Sequence, residues 1–305
     1  MNKKNSKNLL IVTHSGNFHT DEVFACAVLS ILNDGAVEIV RSRNPEVWAN
    51  GDYVVDVGGV YDARANRFDH HQEGGAGARE NGIPYSSLGL VWKEYGEKLC
   101  GSVAVARRID EKLAQPVDMA DSGADAFKLT DAGVFPYLLH HVVTCFRPTW
   151  KEETEGKMTF DEGFARAMEI AKQVILREII IARDQFEGEN IVAEIYHHTD
   201  DKRIIVIDGQ YPWEWILTQF PEPLYIIKPD HENGGRWKVK TVRNSVDSFD
   251  SRKLLPESWA GKSGQEFVQI TGVDNATFCH NKRFIAGAGS KEGALKLARI
   301  ALDTE

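Results

Sequence analysis

Cysteine is scarce in this 305-residue chain: Cys26, Cys100, Cys145 and Cys279 are the four present, far apart and without a C-x-x-C pair. That spacing excludes a disulfide framework and a cysteine-based zinc site, and leaves free thiols packed in a reducing compartment. Long apolar runs are missing as well. No window approaches the roughly 18 consecutive apolar residues that a membrane helix needs, so no membrane span is expected. Excess positive charge is also absent, since 45 Asp and Glu outnumber 36 Lys and Arg for a formal charge of −9. Such a balance argues against a broad surface that coats nucleic acid. It leaves room for a nucleic-acid enzyme with a local groove, where bound metal ions place positive charge at the phosphate. The opening "MNKKNSKNLL" has lysines but no long apolar core. It reads as neither a secretory signal nor an organelle presequence, and a cytoplasmic protein is expected. No internal repeat or low-complexity tract is visible.

What is present is an ordinary globular composition, 42% apolar and 27% charged, in a chain long enough for two domains with separate cores. In the first half, "NLLIVTH", "AVEIVRSR" and "DYVVDVGG" read as strands. Between and after them, "DEVFACAVLSIL", the serine-capped "SSLGLVWKEYGEKL" and "SVAVARRIDEKL" read as helices. Strand–helix alternation with continuous Val/Ile runs predicts an α/β fold, a mostly parallel sheet covered by helices on both faces. A capping box at Thr159 and Glu162 opens a long amphipathic helix that is expected to end near Glu187, with a linker at 187–190. The second half is strand-rich, from "IVAEIYHH" through "RIIVIDG", "LYIIKPD" and "RWKVKTVR" to "RFIAGAGSKEGALKLARIAL". The expected division is therefore 1–188 for a catalytic domain and 189–305 for a smaller C-terminal α/β domain.

Ligands in parallel sheets gather beyond the carboxyl ends of the strands, and His14 and Asp56 both lie at such ends. Around them stand four clusters: "THSGNFHTDE" with His14, His19 and Asp21; "VVDVGG" with Asp56; "RFDHHQ" with Asp69, His70 and His71; and "VDMADSG" with Asp118 and Asp121 in a loop-like stretch. A mixture of imidazole and carboxylate suits manganese, iron, cobalt or zinc rather than an all-oxygen calcium cage. Two divalent ions about 4 Å apart repel by roughly 17 kcal/mol at an effective dielectric near 20. A bridging carboxylate with further acids around it offsets that repulsion, and such a pair can generate hydroxide and clamp a phosphate. Single clusters are weak signals, because a strand-end Asp is more often a turn residue. The pairs His140-His141 and His197-His198 lack nearby acids and read as structural. The ordered combination of H-x4-H-x-D, V-V-D-V-G-G and D-H-H is much harder to reach by chance.

Those motifs, with "RSRNP", "SSLGLVW", "RPTW" and "FIAGAGSKEGAL" in order, resemble the DHH phosphoesterase superfamily and, within it, the MYG1 family of metal-dependent hydrolases, also described as 3'-5' exonucleases. The resemblance covers nearly the whole chain. It implies a DHH-type catalytic domain with two divalent ions, usually manganese, with iron, cobalt, zinc or magnesium as alternatives. By that resemblance His14, His19 and Asp56 hold one ion. Asp21, Asp56, His70 and Asp121 hold the other, His71 faces the phosphate, and Asp69 orients the histidine pair. Two positions depart from the pattern. Many DHH enzymes carry aspartate where this chain has His19, and the branch usually reads D-N-G where this chain has Asp121-Ser122-Gly123, so Asp118 stays a second candidate.

In the second half the resemblance points to a substrate-binding end in "FIAGAGSKEGALKLA". Its physical reading is a turn opened by Gly287 and Gly289, a Ser290 cap, and helix-start amides that can receive an anion with Lys291 and Arg283 nearby. The segment "GKSG" at 261–264 is no phosphate loop, because Pro256 stands where that motif needs its first glycine. Trp213, Trp215, Trp237 and Trp259 read as core rather than as base-stacking residues. The functional expectation is phosphodiester hydrolysis at the 3' end of a short single-stranded RNA or DNA, bound across a cleft under the second domain. A small-molecule phosphohydrolase and a non-catalytic binding protein are the alternatives. A homo-oligomer is left open.

Overall fold

The computed structural model describes residues 8–124, 133–232 and 234–304; most of the opening stretch read for a leader lies outside them. The chain forms two compact units, Met1–Arg183 and Asp184–Glu305. No helix among the described residues is long and apolar enough to cross a membrane.

The first unit begins β1 (Leu9–Thr13), α1 (Thr20–Leu32), β2 (Val37–Arg41), α2 (Pro45–Trp48), β3 (Tyr53–Val55), β4 (Tyr61–Asp62) and β5 (Arg67–Phe68). Its sheet runs in the order β2-β1-β3-β5-β4, parallel except for the antiparallel edge strand β4. Alternating side chains divide between the faces. Ile11, Tyr53, Val55 and Phe68 join the main core with α1 and α3 (Ser87–Cys100), whereas Val12 and Val54 pack with Val57, Val47 and Trp48 in a small cluster. Both faces thus carry helical cover, as expected, with α1 and α3 on one and the short α2 on the other.

The next helices are α4 (Val103–Ile109), α5 (Gln115–Asp121), α6 (Leu139–Thr144), α7 (Trp150–Thr154) and α8 (Phe160–His198). Asp118 and Asp121 lie on α5, not in a loop. A π-helical turn, Asp110–Ala114, joins α4 to α5. The widened turn accommodates Pro116, which lacks an amide and crowds the preceding turn, while Leu113, Ala114 and Val117 stay buried. The long helix also differs from its expected form. It does not stop near Glu187, and "IVAEIYHH" is its last two turns rather than a strand. Val192 and Tyr196, four apart, bury one helical face against Ile205, Ile207 and Leu217, so a helical burial period overrides β-branched propensity.

The second unit continues with β6 (Ile204–Val206), α9 (Glu214–Thr218), β7 (Tyr225–Asp230), β8 (Arg236–Thr241), α10 (Gly264–Thr271), β9 (Ala276–Cys279), β10 (Ile285–Ala288) and α11 (Lys291–Asp303). The sheet order is β6-β7-β8-β10-β9, with only β6 and β7 parallel. Tyr225, Ile227, Val239, Phe267 and Leu297 build its main core. Trp213 and Trp259 are buried, whereas Trp215 is 45% exposed. Three cysteines are buried and all four are free thiols, but Cys145 is exposed, unlike the packed state expected for it.

Candidate metal centre

Strand register builds the site. Thr13 pairs with Val55, and Val55 pairs with Phe68. The residues that follow these three strand ends are His14, Asp56 and Asp69, so three separate sequence motifs leave one edge of the sheet side by side, about 4.8 Å apart per strand. The turn from β1 to α1 is held from several sides. Phe18 is fully buried, its carbonyl accepts both Nε (2.8 Å) and Nη2 of Arg147, and Gly16 O accepts from Arg41 Nη2 at 2.5 Å. The Glu22 carboxylate accepts the His19 amide at 2.7 and 2.8 Å. Asp21 and Glu22 therefore occupy the first turn of α1, where the helix dipole favours negative charge.

The side chains converge. His14 Nε2 lies 3.0 Å from Glu22 Oε1 and 3.3 Å from Asp56 Oδ2. His70 Nε2 lies 3.2 Å from Asp56 Oδ1, 3.2 Å from Asp121 Oδ2 and 3.9 Å from Asp21 Oδ2. Three groups each have ligand-type atoms within 4.8 Å of one another: His14, His19, Glu22 and Asp56; Asp56, His70 and His71; and His19, Asp21 and Asp121. Asp56 is shared by two groups, with one oxygen toward His14 and the other toward His70. Its φ of +57° is a left-handed value unusual for a side-chain-bearing residue, and Ser87 Oγ donates to its Oδ1 at 2.9 Å. Asp69 Oδ1 accepts from His71, at 3.0 Å from its amide and 2.7 Å from Nδ1, and Asp69 Oδ2 accepts the Gly59 amide at 2.6 Å. It therefore fixes His71 and the glycine turn rather than both histidines.

Glu22 is the residue that the sequence reading missed. An acid in a first helical turn looks like a cap, and Glu22 is one, but the same carboxylate also reaches His14.

The electrostatics ask for a cation. Asp21 is 1% exposed, and neither of its oxygens has a hydrogen-bond partner among the described residues. Burial, then the charges of Asp56 and Glu22, push its carboxyl well above the usual range. Burial alone would raise Asp56 too, but hydrogen bonds from His14 and His70 outweigh it and hold that carboxyl below the usual range. For His14, burial is outweighed by Asp56 and Glu22, which raise the ring to about 9. An unpartnered buried carboxylate is costly. Divalent ions satisfy it, and the oxygen–imidazole donor set fits a transition metal better than calcium.

Asp118 belongs elsewhere. Its Oδ2 pairs with Arg79 Nη1 at 2.7 Å, and its Oδ1 accepts the Gly89 amide at 3.0 Å and the Ser86 hydroxyl. Ser86 thus precedes α3 as foreseen but spends its hydroxyl on Asp118 rather than on a helix amide. Burial moves the Asp118 carboxyl up to about 6 against the pull of Ser86 and Arg79. The group ties α5, and with it Asp121, to the start of α3, whose Ser87 holds Asp56. A Cβ at Gly89 would stand 1.9 Å from Asp118 Oδ2 and 2.9 Å from the Tyr85 ring. Gly89→Ala, a change that elsewhere in a helix stabilises by about 1 kcal/mol, is therefore expected to destabilise by about 3 kcal/mol. Urea unfolding measures the sign; a more stable variant would disprove the contact.

A cavity of about 620 Å³ opens on the cluster, with an apolar wall of Leu113, Pro116, Val117, Ala120, Leu138 and Leu139. His140 also lines it. His141 does serve structure, accepting the Leu138 amide at 2.9 Å.

The second unit places its motif differently from the expected turn. Gly287 lies within β10, where a Cβ would meet Thr277 Oγ1 at 2.5 Å and the Phe278 ring at 2.8 Å. Ser290 does cap α11, accepting the Gly293 amide at 3.1 Å, and Asn275 Nδ2 donates to the same hydroxyl at 2.9 Å. Lys291 stands over the Trp237 ring at 5.5 Å. Arg283 precedes β10 while Gly289, Ser290 and Lys291 follow it, about 13 Å of strand away, so it does not add charge at the helix start.

Over residues 10–302 the chain matches the MYG1 exonuclease family model, described as "Uncharacterised protein family (UPF0160)". It is 31% identical over 328 residues to the MYG1 exonuclease of Bos taurus, covering 96% of this chain and 84% of that one. To a MYG1 protein of Schizosaccharomyces pombe it is 30% identical, covering 96% and 97%. Among solved structures, RecJ from Thermus thermophilus in complex with Mn2+ shares 14% identity with a TM-score of 0.27, over 98% of this chain and 53% of that one. With the family's pattern spanning both units, the chain belongs to the MYG1 family.

Proposed function

We propose that the first unit is a metal-dependent phosphoesterase centre that works as a 3'-5' exonuclease on short single-stranded RNA or DNA. The observation that carries this reading is the buried Asp21 carboxylate with both oxygens unpartnered among the described residues, beside an Asp56 whose two oxygens face different imidazoles. The relatives' name, exonuclease, supports the finer reading. His14, His19, Glu22 and Asp56 would hold one divalent ion, and Asp21, Asp56, His70 and Asp121 a second, with manganese the first candidate. Such ions supply a water of lowered pKa and positive charge for phosphate oxygens.

The chain's own residues do the remaining work. Asp69 fixes His71 through Nδ1, and the side chain is 62% exposed, which leaves Nε2 to meet a phosphate oxygen. The apolar wall of the large cavity suits the flat face of a nucleobase. Pyrophosphate would leave that wall wet, which argues against a small inorganic substrate. The second unit is proposed to bind substrate, with Gly289, Ser290 and Lys291 at the start of α11. Arg283, at the far end of β10, is left out of that set.

The test is a manganese assay with 5'-labelled oligoribonucleotides and oligodeoxyribonucleotides, pyrophosphate and a chromogenic nucleotide ester. Stepwise loss of nucleotides from the 3' end is expected. Turnover of pyrophosphate alone would replace the nuclease with a small-molecule phosphohydrolase, and a metal-saturated protein that cleaves no ester would leave a non-catalytic binding protein.

A further inference from the structure

A second cavity, of about 390 Å³, adjoins the cluster and shares His19, Asp56 and His71 with the larger one. Its remaining wall includes Arg43, Trp48, Gly58 and Gly59. We propose that this cavity is a phosphate subsite in which Arg43 is the anion-binding residue. The proposal rests on the phosphoesterase reading of the adjoining cluster.

Around a cluster so rich in carboxylates, most nearby cations are already engaged. Arg41 pairs with Asp161 at 2.8 Å, Arg79 with Asp110 and Asp118, and Lys112 with Glu178 at 2.7 Å. Arg147 spends two nitrogens on the Phe18 carbonyl. Arg43 Nε donates to Ser15 O at 3.3 Å and its Nη2 lies 3.2 Å from His14 Nδ1, and no carboxylate among the described residues forms an ion pair with it. A guanidinium is the side chain best shaped to hold phosphate by two parallel hydrogen bonds.

Arg43 leaves β2 at the sheet edge that carries His14 and Asp56, because Arg41 pairs with Thr13. The backbone around it is braced. Asn44 Oδ1 accepts the Glu46 amide at 3.0 Å, Pro45 opens α2, and Trp48 Nε1 donates to Ser42 O at 2.9 Å. Such a side chain loses less freedom on binding than one on a loose loop. Across the cavity, Gly58 and Gly59 have φ of +101° and +68°. That wall is bare backbone, and a Cβ at Gly58 would already stand 3.6 Å from the Trp48 ring.

His14 sets what Arg43 can bond. A ring that gives its Nε2 lone pair to a cation keeps its proton on Nδ1, and that proton meets Ser15 O at 3.3 Å. Arg43 then has no acceptor on the ring, and its Nη2 is left for an anion beside the ion.

Calorimetry with inorganic phosphate, on manganese-loaded wild-type, Arg43→Gln and Arg43→Lys proteins, tests the subsite. Arg43→Gln is expected to weaken phosphate binding on the order of 10- to 100-fold, with Arg43→Lys in between, and with manganese content and melting temperature unchanged. In turnover of a nucleotide ester, KM should rise by a similar factor while kcat moves only a few-fold. Equal phosphate affinity in Arg43→Gln and wild type, or no phosphate binding by wild type, would overturn the proposal. Loss of manganese in Arg43→Gln and Arg43→Lys alike would also overturn it, by showing that Arg43 only props His14. Failure of the phosphoesterase reading is separable, as Arg43-dependent phosphate binding by a protein that cleaves no ester.

Discussion

Asp56→Asn is expected to lower turnover with manganese on the order of 10³-fold, the scale of losing a central electrostatic group in an active site. The substitution isolates charge from structure. Asp56 sits at φ +57°, a region that asparagine tolerates about as well as aspartate, so the strand end keeps its path. The amide oxygen can still accept from Ser87 Oγ, now 2.9 Å from Oδ1. What disappears is the second anionic oxygen. An amide nitrogen would face either His14 or His70, and a neutral group cannot hold two cations together. The metal-free variant should melt below the wild-type temperature at neutral pH, because the Asp56 charge that His14 and His70 hold in its ionised form is lost. Three measurements decide the matter: kcat on an oligonucleotide, bound manganese, and metal-free melting. Wild-type turnover in this variant would remove Asp56 from the centre of the site.

Much of this site was readable before the fold because it sits where short, strongly patterned segments end. His14, Asp56 and Asp69 each follow a run of strand-forming residues, and register between parallel strands does the rest. The long-range pairings were not readable. Asp118 stays a second candidate beside Asp121 in "VDMADSG", and the approach of Arg79, from a separate loop, is what consumes it. Glu22 and Arg43 were passed over because each also has an ordinary local role, one at a helix start and one beside a proline turn. In the fold, "IVAEIYHH" carries β-branched residues at helical burial spacing, and the cores that Val192 and Tyr196 meet settle its form. Gly287 shows the same limit, since a glycine read as a turn is a strand position where the Phe278 ring crowds the backbone.

Metal removal should have the largest effect on stability. Without a cation, Asp21 keeps two buried oxygens with no hydrogen-bond partner among the described residues, beside the carboxylates of Glu22, Asp56 and Asp121, and the fold carries that cost. The unfolded chain cannot gather these ligands, so an ion that binds only the folded form stabilises it by RT ln(1 + [L]/Kd), about 4 kcal/mol at a free concentration a thousandfold above Kd. For a unit of this size each kcal/mol moves the melting point by roughly 2–4 °C, so manganese saturation against a chelator should raise it by about 10 °C. Calcium at the same concentration should give much less, because His14, His19 and His70 supply imidazole nitrogens where calcium prefers oxygen. Asp21→Asn separates this from ionic strength. It should raise the chelated protein's melting point and shrink the manganese increment together, since one carboxylate causes both. If chelated and manganese-saturated wild type melt alike, the buried carboxylates are not a cation site, and Asp21 must be carried as a protonated acid instead.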